Sequence, residues 1–348
     1  MTKEKQIPIT LVTGFSDRLK STLIKEMKLQ IKSKVILFRD PRIVNRDISK
    51  ECFIQENIPT EVVQDLELFT IKDLLSTIKV WNTKQIDQII INLDKLSNVH
   101  LLSQFSNVEE DDWLISKHIH VVDAVNFWFQ YSSNEYIYQY PNEEEINESS
   151  IGELLITPLE LADTILLGGI DKINKERLSE LQWFLNKLNP LAKVMTTNDL
   201  KTNDSLYRET NNRTNHTSQQ LYTYQLQHFE QKKPLMLIGE YGIDTYIYRS
   251  PFPISMKNLK HFFTKLPEGL LRTKALCYIP YENKTYYISQ IGPTIEVLSE
   301  KQSYYEPSSK VLSEFLFIGD HLNPHIIEKQ LEKCLMKDDC FPTAEISR

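Results

Sequence analysis

Up to residue 199 the chain alternates short runs rich in Ile, Val, Leu and Thr with stretches whose apolar residues recur at helical spacing. Few packed solutions suit that alternation. Strands joined through helices run parallel, and the helices must cover the faces of the sheet they connect. The runs predict strands over 7–13, 34–38, 88–92, 118–122, 164–167 and 193–197, and the spacing predicts helices over 19–31, 71–81 and 175–188. Asn189-Pro190 closes the last helix, because a proline disfavours helical backbone in the residue before it. The first part is therefore an α/β domain on a mostly parallel sheet.

At 348 residues the chain exceeds what one core usually supports, so a second domain is expected. From 200 to 233 the sequence turns polar, as in TNDSLYRETNNRTNHTSQQ, and predicts a linker. Beyond it, strands over 234–248, 271–279, 285–291 and 313–318 and helices over 257–266 and 324–335 predict a smaller α+β domain. The expected organisation is 1–199, a linker over 200–233, and 234–348.

Composition excludes some classes of function. A formal charge of −7 argues against a protein whose partner is a nucleic-acid backbone. No apolar run approaches the roughly 20 residues of a membrane span, so no membrane association is expected. The N-terminus MTKEKQIPITLVTGF has no secretory h-region, and Cys52, Cys277, Cys334 and Cys340 are sparse and irregularly spaced. Both features predict a cytoplasmic chain with reduced thiols.

The sharpest local pattern is a strand followed by GFSDRLKST and a helix. A Walker A loop has Gly, four residues, Gly, then Lys-Ser/Thr. Gly14, Lys20 and Ser21 fall at that spacing, with Leu19 at the second glycine. The chemistry needs consecutive backbone N–H groups turned around a phosphate, and glycines permit that geometry. Asp17, Arg18 and Leu19 carry side chains there instead. Lys20 retains the charge for phosphate oxygens and Ser21 the hydroxyl for Mg²⁺. A plain strand–turn–helix is the competing reading.

Several stretches, in order, resemble the CobW-like metallochaperone GTPases: IPITLVTGF, HVVDAVNF and LELADTILLGGIDKI, then YGIDTYIYRSPFP, LPEGLLRTKALCYI and EFLFIGDHLN. The resemblance covers nearly the whole chain. It implies a P-loop NTPase-type sheet with a separate C-terminal domain, nucleotide contacts from Gly14, Lys20, Ser21, Thr22 and Asp171, GTP with Mg²⁺ as ligands, and zinc or cobalt as cargo for a client metalloprotein or regulatory partner. The motifs depart from the family. Asp17 and Leu19 replace the inner glycines, and the guanine motif Asn-Lys-x-Asp reads Gly168-Gly169-Ile170-Asp171. Asn92 and Lys95 stand where the family has Glu and Gly, only Asp40 and Asp47 correspond to its switch acids, and CxCC aligns with Leu66-Glu67-Leu68-Phe69. The resemblance with these losses implies weak or lost GTP binding and hydrolysis and action through a partner. A slow GTPase with other metal ligands and a pure interaction module are the alternatives. No catalytic residue and no metal ligand is assigned.

Other candidate ligands have plainer readings. His118 and His120 alternate on a strand and share a face, which suits packing as well as a metal. His321 precedes a helix capped by Asn323-Pro324 and so does not pair with His325 as helical neighbours, and Cys334 and Cys340 lie farther on. His216 and His228 read as linker residues. Tyr241, Tyr246, Tyr248, Tyr286 and Tyr287 read as half-buried sheet positions. No GxSxG or clustered Cys–His motif points to a hydrolase.

Overall fold

The computed structural model describes residues 7–30, 33–39, 63–67, 88–93, 113–139, 147–201, 222, 224–227, 240–282, 284–299 and 311–337. Two compact units result, 1–225 and 226–348.

The first unit is built on a seven-stranded sheet in the order β3-β2-β4-β1-β5-β8-β9. Its strands are β1 (Ile7–Gly14), β2 (Ser33–Arg39), β3 (Val63–Glu67), β4 (Gln88–Leu93), β5 (Trp113–Asp123), β8 (Thr164–Gly168) and β9 (Lys193–Thr196), and every neighbouring pair is parallel. The central strand β1 lies between β4 and β5 with the register Val12↔Asn92 and Val12↔Ile119. Helix α1 (Asp17–Gln30) covers one face, where Leu23, Ile24 and Met27 pack with Val12, Ile90, Ile119 and Leu166. Helix α2 (Phe127–Tyr131) follows β5 and packs Phe127 and Tyr131 edge-to-face against Phe184. A hairpin of β6 (Tyr136–Gln139) and β7 (Asn147–Ser150) leads into α3 (Ile151–Glu160), whose N-cap Ser150 accepts from the Glu153 N–H. Helix α4 (Lys175–Leu188) is capped by Asn174 in the same way.

The expected strands of this unit all form, and α4 has the expected bounds. β3, α2, the β6–β7 hairpin and α3 were not expected. Their sequences hide them, since VQDLE mixes charge into a strand and IGELLITPLE carries Pro158 inside a helix. The helix expected over 71–81 lies outside the described residues. Part of the expected linker is packed. Tyr222 and Gln225 are buried, and Gln225 Nε2 donates to the carbonyls of Lys187 and Leu188 at 3.2 and 2.7 Å. That amide satisfies acceptors the end of α4 leaves without helical partners.

The second unit is a five-stranded antiparallel sheet in the order β10-β14-β11-β12-β13. Its strands are β10 (Ile243–Ser250), β11 (Leu270–Ile279), β12 (Lys284–Ile291), β13 (Thr294–Ser299) and β14 (Ser313–Asp320). Helices α5 (Met256–Thr264) and α6 (Pro324–Glu332) bury Leu259, Phe262, Phe263, Ile327 and Leu331 against Ala275, Cys277, Phe315 and Phe317. This is the expected smaller α+β domain, with β13 added; of the strand expected over 234–248, residues 240–242 form a 3-10 turn before β10, and 234–239 lie outside the described residues. No helix among the described residues is long and apolar enough to cross a membrane.

Candidate functional site

The C-terminal ends of parallel strands are where such sheets hold ligands, and the Walker-like segment leaves β1 there. Gly14 ends the strand at φ +133, and a β-carbon on it would stand 2.3 Å from the Val121 carbonyl oxygen. Only glycine passes this point. Two residues later the chain is already capping a helix. The Lys20 N–H donates to the Ser16 carbonyl at 3.0 Å and the Leu19 N–H to Ser16 Oγ at 3.4 Å. Helix α1 thus starts at Asp17, where a helix beginning near Leu19 was expected, because residues with side chains favour the helix over an open glycine loop. The N–H groups a phosphate cradle needs at Leu19 and Lys20 are engaged inside the helix cap.

Lys20 does not point into solvent. Its side chain has 0% exposure, and Nζ lies 3.0 Å from Asp17 Oδ1 and donates to the Leu93 carbonyl at 2.8 Å. A carboxylate one helical turn back and a strand-end carbonyl occupy the positions where phosphate oxygens would compensate the charge. Leu19, 8% exposed, joins the core under α1, and its two methyl carbons lie 2.6 Å from the position a β-carbon on Gly168 would take. Position 19, where the Walker pattern has its second glycine, thus packs against position 168, where the resemblance expects an asparagine. Each departure was readable in the sequence, but their contact was not.

The remaining predicted residues make separate local contacts. Thr22 Oγ1 donates back to the Arg18 carbonyl at 3.0 Å. Asp171 is exposed, on the 3-10 turn Ile170–Lys172 behind Gly169, whose φ is +70. Ser21 is fully buried and its Oγ has no hydrogen-bond partner among the described residues, and the same holds for both polar atoms of the Asn92 amide. These residues do not fit a nucleoside triphosphate with Mg²⁺ as arranged, since Lys20 is neutralised internally and the cradle is helical. Lys95, Asp40 and Asp47 lie outside the described residues.

On the other face of β1, Thr13 joins the two histidines the sequence singled out. Thr13 Oγ1 lies 2.8 Å from His118 Nε2 and 2.8 Å from His120 Nδ1, and His118 Nδ1 lies 3.2 Å from the Leu161 carbonyl. A carbonyl only accepts, so with neutral rings the order of protons is set. His118 donates to Leu161 and accepts from Thr13, which accepts from His120. That leaves His120 Nε2 as a buried acceptor with no partner among the described residues. Burial, and then the Lys20 charge, lower the His120 pKa from 6.5 to about 3. Both histidines are buried in the core with their rings held by Thr13.

Among the described residues no group of three or more His, Cys, Asp or Glu could hold a metal ion. Leu66 and Glu67 pair with Phe38 and Arg39 along β3, and Leu68 and Phe69 lie outside the described residues, as do His216, His228 and Cys340. Asn323 caps α6 with Pro324 at its start, leaving His321 before the helix at φ +47 beside Asp320. Tyr246, Tyr248 and Tyr286 are partly buried on the second unit's core, whereas Tyr241 sits in a turn at φ +68.

Residues 243–335, from β10 to just past α6, match the cobalamin synthesis protein cobW C-terminal domain. Zinc-regulated GTPase metalloprotein activator 1 of Dictyostelium discoideum is 21% identical over 394 residues, covering 96% of this chain and 81% of its own. The chain is CobW-like. Among solved structures, Zn(II)-bound YjiA GTPase from E. coli aligns with 96% of this CobW-like chain and 100% of its own, at 16% identity and a TM-score of 0.40. Hydrogenase maturation factor HypB from Archaeoglobus fulgidus aligns with 55% and 81%, at 12% identity and a TM-score of 0.32.

Proposed function

We propose that this CobW-like chain is a cytoplasmic metal-homeostasis factor that has lost nucleotide-driven turnover and acts through contact with a client metalloprotein or a regulatory protein. One observation carries the reading: Lys20 is fully buried and bound to Asp17 and the Leu93 carbonyl. A phosphate would have to displace both partners and unwind the first turn of α1. Names among the relatives support a role in metal supply, since one is a zinc-regulated GTPase metalloprotein activator. GTP and zinc are therefore the ligands to test first.

The experiment is a thermal melt of the full chain with Mg²⁺-GTP, Mg²⁺-GDP, Mg²⁺-ATP and Zn²⁺, beside Lys20→Ala. A ligand at 100 times its dissociation constant adds about 2.7 kcal/mol, which a melt resolves. No nucleotide-dependent shift at millimolar concentration is the expected outcome. A GTP- or GDP-specific rise that disappears in Lys20→Ala would sink the proposal.

The second reading, a slow GTPase, draws on the buried Ser21 hydroxyl and Asn92 amide without partners among the described residues. Burying such groups unpaired costs free energy, and an ion or phosphate admitted by opening α1 would satisfy them. The same melt separates the two readings.

A further inference from the structure

Between α5 and the end of α6, within the second unit, lies a cavity of about 530 Å³, a size typical of small-molecule sites. Its basic side chains are ordered. Lys257, His261 and Lys265 recur every fourth residue along α5 and its C-cap, and Lys333, the C-cap of α6, lines the same cavity. Helix α5 contains no Asp or Glu in MKNLKHFFT, although the whole chain carries a formal charge of −7. Lys257 sits in the first turn, where the helix dipole disfavours a cation. Packing alone does not require it there.

The acids of α6 are directed elsewhere. Glu328 accepts from the Tyr246 hydroxyl, and Glu328 and Glu332 both act on Tyr248. Gln330 lines the cavity, and its Oε1 is buried with no hydrogen-bond partner among the described residues. The amide can turn over to offer its N–H groups, because its two ends are alike in shape. Phe262 and Cys334 add a buried apolar wall, and the Asn258 amide donates to the Lys333 carbonyl at 2.9 Å, tying the two helix ends together.

We propose that this cavity binds a small phosphorylated molecule, its phosphate held among Lys257, Lys265 and Lys333 and the rest of the molecule against Phe262. Lysine ammonium groups are compact charges with freely turning donors and suit a tetrahedral phosphate, whereas a planar carboxylate is best matched by the arginine fork. No arginine lines the cavity. The inference is independent of whether the first unit binds nucleotide.

Calorimetric titration of the full chain with pyrophosphate, and in parallel with citrate, tests it. Expected is one saturable pyrophosphate site, weakened at least about tenfold in Lys257→Gln/Lys265→Gln/Lys333→Gln, a loss of 1.4 kcal/mol or more. The control Lys172→Gln/Lys175→Gln, exposed residues of the first unit, should bind like the parent chain. If the triple variant misfolds, Lys265→Gln alone should weaken binding measurably. The proposal is overturned by absence of pyrophosphate binding, by equal weakening in the control, by an unaffected triple variant, or by citrate binding as tightly as pyrophosphate.

Discussion

Leu19 and Gly168 occupy one space between them: the leucine methyl carbons stand 2.6 Å from where any β-carbon on Gly168 would lie. The two positions belong to different motifs and different elements, yet neither residue can grow unless the other shrinks.

That dependence is measurable as a coupling. Leu19→Ala should cost about 2–4 kcal/mol for the lost core contact, and Gly168→Ala about 1–3 kcal/mol for overpacking. In the Leu19→Ala background the second change should cost little, so urea unfolding of the four species should give a coupling of about 1 kcal/mol or more. Additive costs would show that Leu19 moves aside freely.

Asp17 should matter to stability more than a helix-start acid ordinarily does. Removing it by Asp17→Ala leaves the buried Lys20 ammonium with only the Leu93 carbonyl, a loss of about 3 kcal/mol by analogy with broken buried pairs. Replacing the cation by Lys20→Met in that background should restore much of the loss, because an apolar chain of similar length needs no counter-ion. Denaturant midpoints of the single and double variants check this. Equal midpoints for both would show that Lys20 finds another partner.

The acid limb of stability should carry the signature of His120. Its pKa is lowered on folding from 6.5 to about 3, so in that window the unfolded chain binds a proton that the folded chain does not. Stability attributable to this group is complete above pH 6.5 and falls by about 1.4 kcal/mol per pH unit below it, levelling off near the folded pKa. His120→Asn, which can still donate to Thr13, should lose less stability than the parent between pH 7 and pH 5, by about 2 kcal/mol. A parallel pH dependence in the two proteins would contradict the assignment.

Two asparagines at the ends of α4 should differ in weight. Asn174 is an exposed N-cap accepting from Arg177, and Asn174→Ala should cost about 1 kcal/mol. Asn189 is buried. Its amide nitrogen faces the carbonyls of Leu159, Glu160 and Ala162, and its oxygen accepts from the N–H groups of Leu191 and Ala192. Asn189→Ala strands several buried groups and should cost about 2–4 kcal/mol. Thermal melts of the two variants rank them.

Much of the architecture was legible because it is local. The run QIIINL is apolar enough to be a central strand, and KERLSELQWFLNKL carries its helical period and its stop. The site was legible as residue identities and not as an arrangement. Lys20 has the same letter whether it reaches a phosphate or folds back to Leu93, and that choice depends on where α1 begins. The pairing of Leu19 with Gly168, and of Thr13 with His118 and His120, joins distant segments that only the sheet register brings together.

The early start of α1 also ties four positions into one set. A glycine at position 19 alone opens a hole beside Gly168, a side chain at 168 alone collides with Leu19, and removal of Asp17 alone strands the buried Lys20 charge. No one of these residues can be exchanged without a cost to another, so the turn into α1 tolerates paired changes better than single ones.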